Sequence, residues 1–201
     1  MTDVLDCAKY IIKHCPDIGQ NRFDSNMKLQ KLLFFADLVS LAKTDEPLFS
    51  EPIYAFEQDC VVEIVRLRFN NDFIADALSS SPVFTQEEYD VLNVTLAIYG
   101  NVSVEDLSKA SHSFSFCERT GVVPIEDMRS ELETVRDVLS AYEKVAQERY
   151  SAETINGVTF FYNSEDANLD NDFLAELHNF SLAADDDAYT VCRDGDRLVT
   201  Y

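Results

Sequence analysis

His112 and Cys117 stand five residues apart, a spacing at which an imidazole can activate a thiol for nucleophilic attack. No third group that would orient such a base is legible beside them, so the plainer reading is a polar turn residue and a packed thiol. The five cysteines, at positions 7, 15, 60, 117 and 192, are odd in number and contain no C-x-x-C spacing. That pattern points to small apolar packing residues and away from a zinc site or a disulfide framework. Asp170-Asn171-Asp172 and Asp185-Asp186-Asp187 gather the oxygen donors that calcium takes, yet they lack the glycine and terminal glutamate of a calcium loop. A solvated acidic face accounts for them. With five glycines in the chain there is no G-x-G-x-x-G, no phosphate loop and no G-x-S-x-G. The expectation is a protein that is not an enzyme and uses no cofactor or metal.

A different set of polar residues has no evident core role: Lys28, Gln30, Lys31, His112 and Arg119. The first three sit at the start of the apolar run Met27–Ala36, where positive charge opposes a helix dipole and does not complement it. Helix stability therefore does not explain them. Two explanations stand side by side: buried hydrogen bonds that join helices, or contact with a partner.

The elements that position these residues can be read from spacing. Val4, Ala8, Ile11 and Cys15 recur at helical intervals behind Asp3 or Thr2 as a cap. A second helix, from about 25 to 43, is apolar nearly all round, which predicts a central buried position. The alternation over 52–57 predicts a short extended piece, and Val61, Val62, Val65 and Phe69 predict a helix from Cys60 to about 72. Thr85 and Glu88 form a capping box, Gly100 a stop, and Ser103 the cap of a short helix ending near His112. Pro124 begins what reads as the longest helix, to about 150, with the stripe Met128, Leu132, Val135, Leu139, Tyr142 and Ala146. Beyond it a strand at 157–162, a helix near 170–182 and a hairpin around Asp194-Gly195-Asp196 predict a β-α-β-β tail. The fold class expected is mainly α: a compact multi-helix domain over 1–150 with a short extended element, and a small acidic α+β extension over 151–201.

Composition sets the outer limits. Thirty-seven acidic and 16 basic residues give a formal charge of −21 and a pI near 4.3. The tail alone, residues 151–201, holds 11 acids and 2 bases. Nucleic acid is disfavoured as a ligand, because phosphate binding needs lysine and arginine clusters. A basic macromolecular surface is favoured, because charge steers encounter. An apolar content of 46%, with 14 Phe and 9 Tyr, argues against disorder. No apolar run approaches the roughly 20 residues of a membrane span. The opening MTDVLDCAKYIIKH carries two aspartates where an export signal wants bases, so a cytoplasmic location without a membrane partner is expected.

Taken together, Ala8-Lys9-Tyr10-Ile11-Ile12, the run Lys28 to Ala36 (KLQKLLFFA) and Pro47-Leu48-Phe49-Ser50-Glu51-Pro52-Ile53 resemble the Panacea antitoxin domain, the SocA/GepA-like family. Tyr99-Gly100, Ser103, Leu107-Ser108, Ser111-His112, Phe116 and Arg119 continue the likeness, which covers roughly residues 4–148. Two departures stand out: Asp59-Cys60 replaces the family's Gly-Pro, so a turn that glycine permits falls to Asp59, and Phe56 replaces the usual Trp. The resemblance implies an antitoxin that binds and neutralises a protein toxin by direct contact, with no catalytic residues. The partner contacts expected are at Lys28, Gln30, Lys31, Asp59, His112 and Arg119, with buried hydrogen bonds between helices as the competing role. The alternatives are an adaptor that delivers its toxin to a AAA+ protease, and a phage-type acidic inhibitor that mimics nucleic acid against a host defence protein. Mimicry wants acids in regular rows, whereas Glu87, Glu88, Asp90, Glu105 and Asp106 are clustered irregularly.

Overall fold

Asp3 accepts the Leu5 amide hydrogen at 2.7 Å and opens α1 (Val4–His14), whose inner face Val4, Cys7, Ala8, Ile11 and Ile12 is buried. The structure, a computed structural model, describes residues 2–56, 59–147, 150–163, 171–182, 188–194 and 197–200. A single 3₁₀ turn at Pro16–Ile18 leads to α2 (Phe23–Thr44). Every residue of α2 from Lys28 to Leu41 is buried, as a helix without a polar stripe must be. It is the axle of the first of two compact units, residues 1–139.

Around α2 pack α1, a three-stranded sheet and two further helices, α5 (Gln86–Tyr99) and α6 (Val104–His112). The Thr85 capping box forms as expected, and Ser103 caps α6. Gly100 ends α5 in a right-handed conformation; glycine is required there because a Cβ would overlap the Leu96 carbonyl oxygen.

The sheet corrects two expectations. β1 (Ile53–Phe56) pairs antiparallel with β2 (Asp59–Val62) on one side and with β3 (Gly121–Val122) on the other. Residues 59–62 are therefore strand, and the helix expected from Cys60 begins only at α3 (Glu63–Arg68), followed by α4 (Asn71–Ser79). Three β-branched or small residues, Cys60-Val61-Val62, suit a pleated ladder, and the hairpin partner upstream decides the matter. Asp59 lies extended in this strand; among the described residues the positive-φ residues other than glycine are Asp45 and Asn156, so Asp59 does not make a left-handed turn.

The helix read from Pro124 is two. Pro124 caps α7 (Ile125–Ser130), Glu131 leaves helical geometry at φ −120°, ψ 22°, and α8 (Glu133–Gln147) follows, so α2 is longer than either. The Glu131 carboxylate explains the break: it accepts the Ser115 amide at 2.8 Å and the Ser115 hydroxyl. Of the stripe, Met128, Leu132, Val135 and Leu139 are buried and Tyr142 is half-buried, and the Ala146 side chain lies outside the described residues.

The second unit, residues 140–201, takes in the end of α8. Its sheet runs in the order β4 (Tyr150–Ile155), β5 (Val158–Asn163), β6 (Ala188–Asp194), β7 (Arg197–Thr200). β5 and β6 are parallel, joined through α9 (Asn171–Ser181), and the other pairs are antiparallel. The expected tail lacked β4. Asn156 (φ 52°) and Gly157 (φ 87°) make a two-residue hairpin turn that pairs Ile155 with Val158 and so creates that strand. Phe160, Tyr162, Phe173, Leu177 and Val191 form a small core of its own. Asp170 and Asp185–Asp187, weighed above for calcium, and the residues Gly195-Asp196 of the hairpin lie outside the described residues. The chain is mainly α, α+β in class.

Candidate functional site

The KLQKLL stretch lies in the second to third turns of α2, and each of its polar residues is used inside the protein. Lys28 donates to Asp17 at 2.7 Å, and the ammonium holds the Asp17 carboxyl below its ordinary range. Gln30 bridges inward and outward: its carbonyl oxygen accepts the Val62 amide at 2.8 Å, and its amide reaches Asn26 at 3.3 Å. The Val62 bond satisfies a backbone donor of β2 and fixes the sheet to α2. Asp37, further along α2, does the same for the chain after the helix by accepting the Leu48 amide at 2.8 Å. Burial pushes the Asp37 carboxyl up to about 7 in spite of the backbone amides of Leu48 and Phe49.

Lys31 is wholly enclosed, at 0% exposure. A buried ammonium is tolerable only with its hydrogens bonded. Its Nζ pairs with Asp59 Oδ1 and donates to Ser111 Oγ at 2.7 Å. Burial pulls the lysine below its ordinary value, while Asp59 works in the opposite direction. Ser111 passes its own hydrogen to the Ser108 carbonyl at 2.9 Å. His112 Nε2 lies 3.3 Å from the same Asp59 oxygen. One lysine thus ties α2, β2 and α6 together.

A lysine beside a serine invites comparison with a catalytic dyad. Ser111 is fully buried and its hydroxyl is committed on both sides, so no substrate atom can reach it in this geometry. The thiol–imidazole pair fails for another reason. Cys117 is bonded to Cys60, across the inner side of the sheet, and His112 is engaged by Asp59. The expectation that all the cysteines are free packing residues is thereby corrected for Cys60 and Cys117. They are 57 residues apart, and only the docking of β2 on the turn Ser115–Glu118 brings them together. Cys7 and Cys15 are free and buried as expected.

Of the six residues singled out in the sequence, the structure gathers Lys31, Asp59 and His112 and places Gln30 against the same strand. Lys28 is engaged elsewhere. Arg119 is exposed and pairs with Asp127 at 2.6 Å. Asp59 and His112 have part of their side chains at the surface, whereas Lys28, Gln30 and Lys31 do not.

Beside this joint the protein is open. A groove of about 740 Å³ is lined by Phe23, Met27, Tyr54, Phe56, Asp59 and Arg66, among others. β1 sends Ile53 and Ala55 into the core and Tyr54 and Phe56 outward, so the strand is apolar on both faces. An antiparallel sheet with one solvated face normally carries polar residues there. Phe56 is 58% exposed and Phe23, at the first position of α2, 78%. Sequence reasoning missed this surface, although the unbroken apolar alternation of Ile53-Tyr54-Ala55-Phe56 was its signal.

Residues 29–116 match the family model described as Antitoxin SocA-like, Panacea domain. No curated protein and no solved structure matches the chain. The Panacea match is shorter than the likeness read over 4–148, and it contains the whole Lys31–Asp59–Ser111–His112 joint. Phe23 and Met27 of the groove, and Lys28 and Arg119, fall outside it. Among the described residues no helix is long and apolar enough to cross a membrane, and no group of three or more His, Cys, Asp or Glu side chains is placed to hold a metal.

Proposed function

We propose that this protein is an antitoxin-like inhibitor that neutralises a protein toxin by binding it directly, without making or breaking a covalent bond. The match of residues 29–116 to an antitoxin domain carries this reading. The geometry supports it in a specific way: the residues that look reactive in the sequence are bonded to one another, and the open surface is apolar. The partner is a toxin with a basic surface, because a chain of charge −21 meets such a surface at enhanced rate. Co-expression with the polypeptide encoded beside this chain tests the reading. A toxic neighbour whose growth arrest is relieved, and which co-purifies in a stoichiometric complex, is the expected result. Toxicity without relief, or relief without any complex, rejects occlusion. Relief that disappears in a protease-deficient host would favour the adaptor alternative.

A further inference from the structure

The outer face of the β2-β1-β3 sheet is the feature that the fold leaves unexplained. Register places Tyr54 opposite Val61 on one side and Val122 on the other, which makes a continuous apolar row across all three strands. Val61 is itself buried and Val122, more than half exposed, lies beyond the groove; Tyr54 and the exposed Phe56 and Phe23 line the groove over Val61. Exposed apolar surface gathered in this way, with charge at its rim, is what interaction sites look like and what a monomer surface ordinarily avoids. The rim charges divide into two kinds. Glu63 holds Arg66 through two bonds of 2.6 and 2.7 Å, a self-neutralised pair. Asp59 differs: Lys31 and His112 both meet Oδ1, and among the described residues nothing meets Oδ2. The Lys31 ammonium and the β1 ladder fix this carboxylate at the end of an apolar groove.

We infer that this groove is the toxin-docking surface, and that it takes a segment presenting an apolar anchor to Phe23, Tyr54 and Phe56 beside a lysine or arginine that pairs with Asp59. The inference rests on the antitoxin reading and names the surface and partner chemistry within it. Charge complementarity selects this occupant: a second copy of this acidic chain would bring like charge to the groove, whereas a basic segment satisfies Asp59 and is attracted by the whole molecule. Lys31 is then a positioning residue that aims the acid and does not touch the partner.

The test uses full-length protein and the polypeptide encoded beside it, with binding followed by calorimetry or surface plasmon resonance. Phe56→Glu and Phe23→Glu, both at exposed positions, are expected to keep the circular dichroism and melting midpoint of the parent and to weaken binding by about ten-fold or more. Val83→Glu, an exposed apolar residue that does not line the groove, is the control and is expected to bind normally. Asp59→Asn keeps an acceptor for Lys31 and is expected to flatten the salt dependence of association. If the unaltered chain binds its neighbour and both phenylalanine variants bind equally well, the surface is wrong and the antitoxin reading stands. If the unaltered chain binds nothing, the antitoxin reading fails first. A purified chain that is dimeric, and made monomeric by Phe56→Glu, would assign the groove to self-association and overturn the proposal, as would an Asp59→Asn variant with unchanged salt dependence.

Discussion

Two neighbouring regions of the first unit invert the usual placement of residue types. In the joint, a lysine with no exposed surface is held by Asp59 and Ser111. In the groove a few residues away, two phenylalanines and a tyrosine face outward. Both arrangements oppose simple solvation, and Asp59 belongs to both. A buried ion pair is weak evidence for stability but good for fixing one geometry, and an exposed aromatic cluster is poor for solubility but good for binding. Here the first fixes β2, the strand on which β1 is laddered, and β1 displays Tyr54 and Phe56.

Separate substitutions can pull the two regions apart. The largest effect is expected for Asp59→Ala, which leaves Lys31 charged and enclosed; urea denaturation should show a loss of about 3–5 kcal/mol. Lys31→Met should be milder, because Asp59 keeps 28% of its side chain in solvent and can be hydrated. Equal losses in the two variants would mean that the pair is not asymmetrically buried.

Next comes the Cys60–Cys117 link, which anchors β2 from the side opposite the groove. Closing a loop of 57 residues should contribute about 2–4 kcal/mol, so a reductant should lower the melting midpoint. Alkylation of the denatured, unreduced chain should label two fewer thiols than after reduction. Full labelling without reductant would return these cysteines to simple packing.

A second buried polar residue of α2 gives a pH test. The Asp37 carboxyl is raised from an ordinary 3.8 to about 7. Between these values the folded chain keeps a proton that the unfolded chain has lost. Its contribution is complete below pH 3.8 and is lost as pH rises to about 7, at up to about 1.4 kcal/mol per pH unit. The stability difference between the parent and Asp37→Asn should therefore shift against the parent from pH 4 to 7 and level off above. A flat difference across that window would show that Asp37 is already ionised.

The smallest effects belong to the surface. Arg119→Ala breaks an exposed pair with Asp127 and should cost under about 1 kcal/mol. Phe56→Glu should change stability by no more than about 0.5 kcal/mol, and that near-neutrality is what separates a docking residue from a core one. By contrast Leu32→Ala, in the buried centre of α2, should cost about 2–5 kcal/mol.

Much of the helical body was legible. Asp3, Thr85 and Ser103 cap where their side chains predict, since capping is a contact between residues two or three apart. The buried helix over 25–43 was plain from its lack of a polar face. The stripe from Met128 to Leu139 predicted the right buried residues but not the break at Glu131, because Ser115, the residue that captures Glu131, is 16 positions away. Residues 59–62 are strand against their helical spacing, because pairing with β1 outweighs the periodicity of Val61, Val62 and Val65. β4 had a local signal, Asn156-Gly157, which is a hairpin turn in its own right.

Local chemistry in the sequence therefore determined the caps, the buried helix, the charge of −21 and the candidate polar residues Lys31 and His112, while Asp59 stood out only against the family pattern. Their roles were not determined there. Whether Lys31 faces solvent or the core, whether Cys60 meets Cys117, and which face of β1 is left uncovered depend on contacts between segments 28 to 80 residues apart. Tertiary structure alone decided those, because a side chain's solvation is set by whatever packs over it and the spacing along one element carries no record of that neighbour.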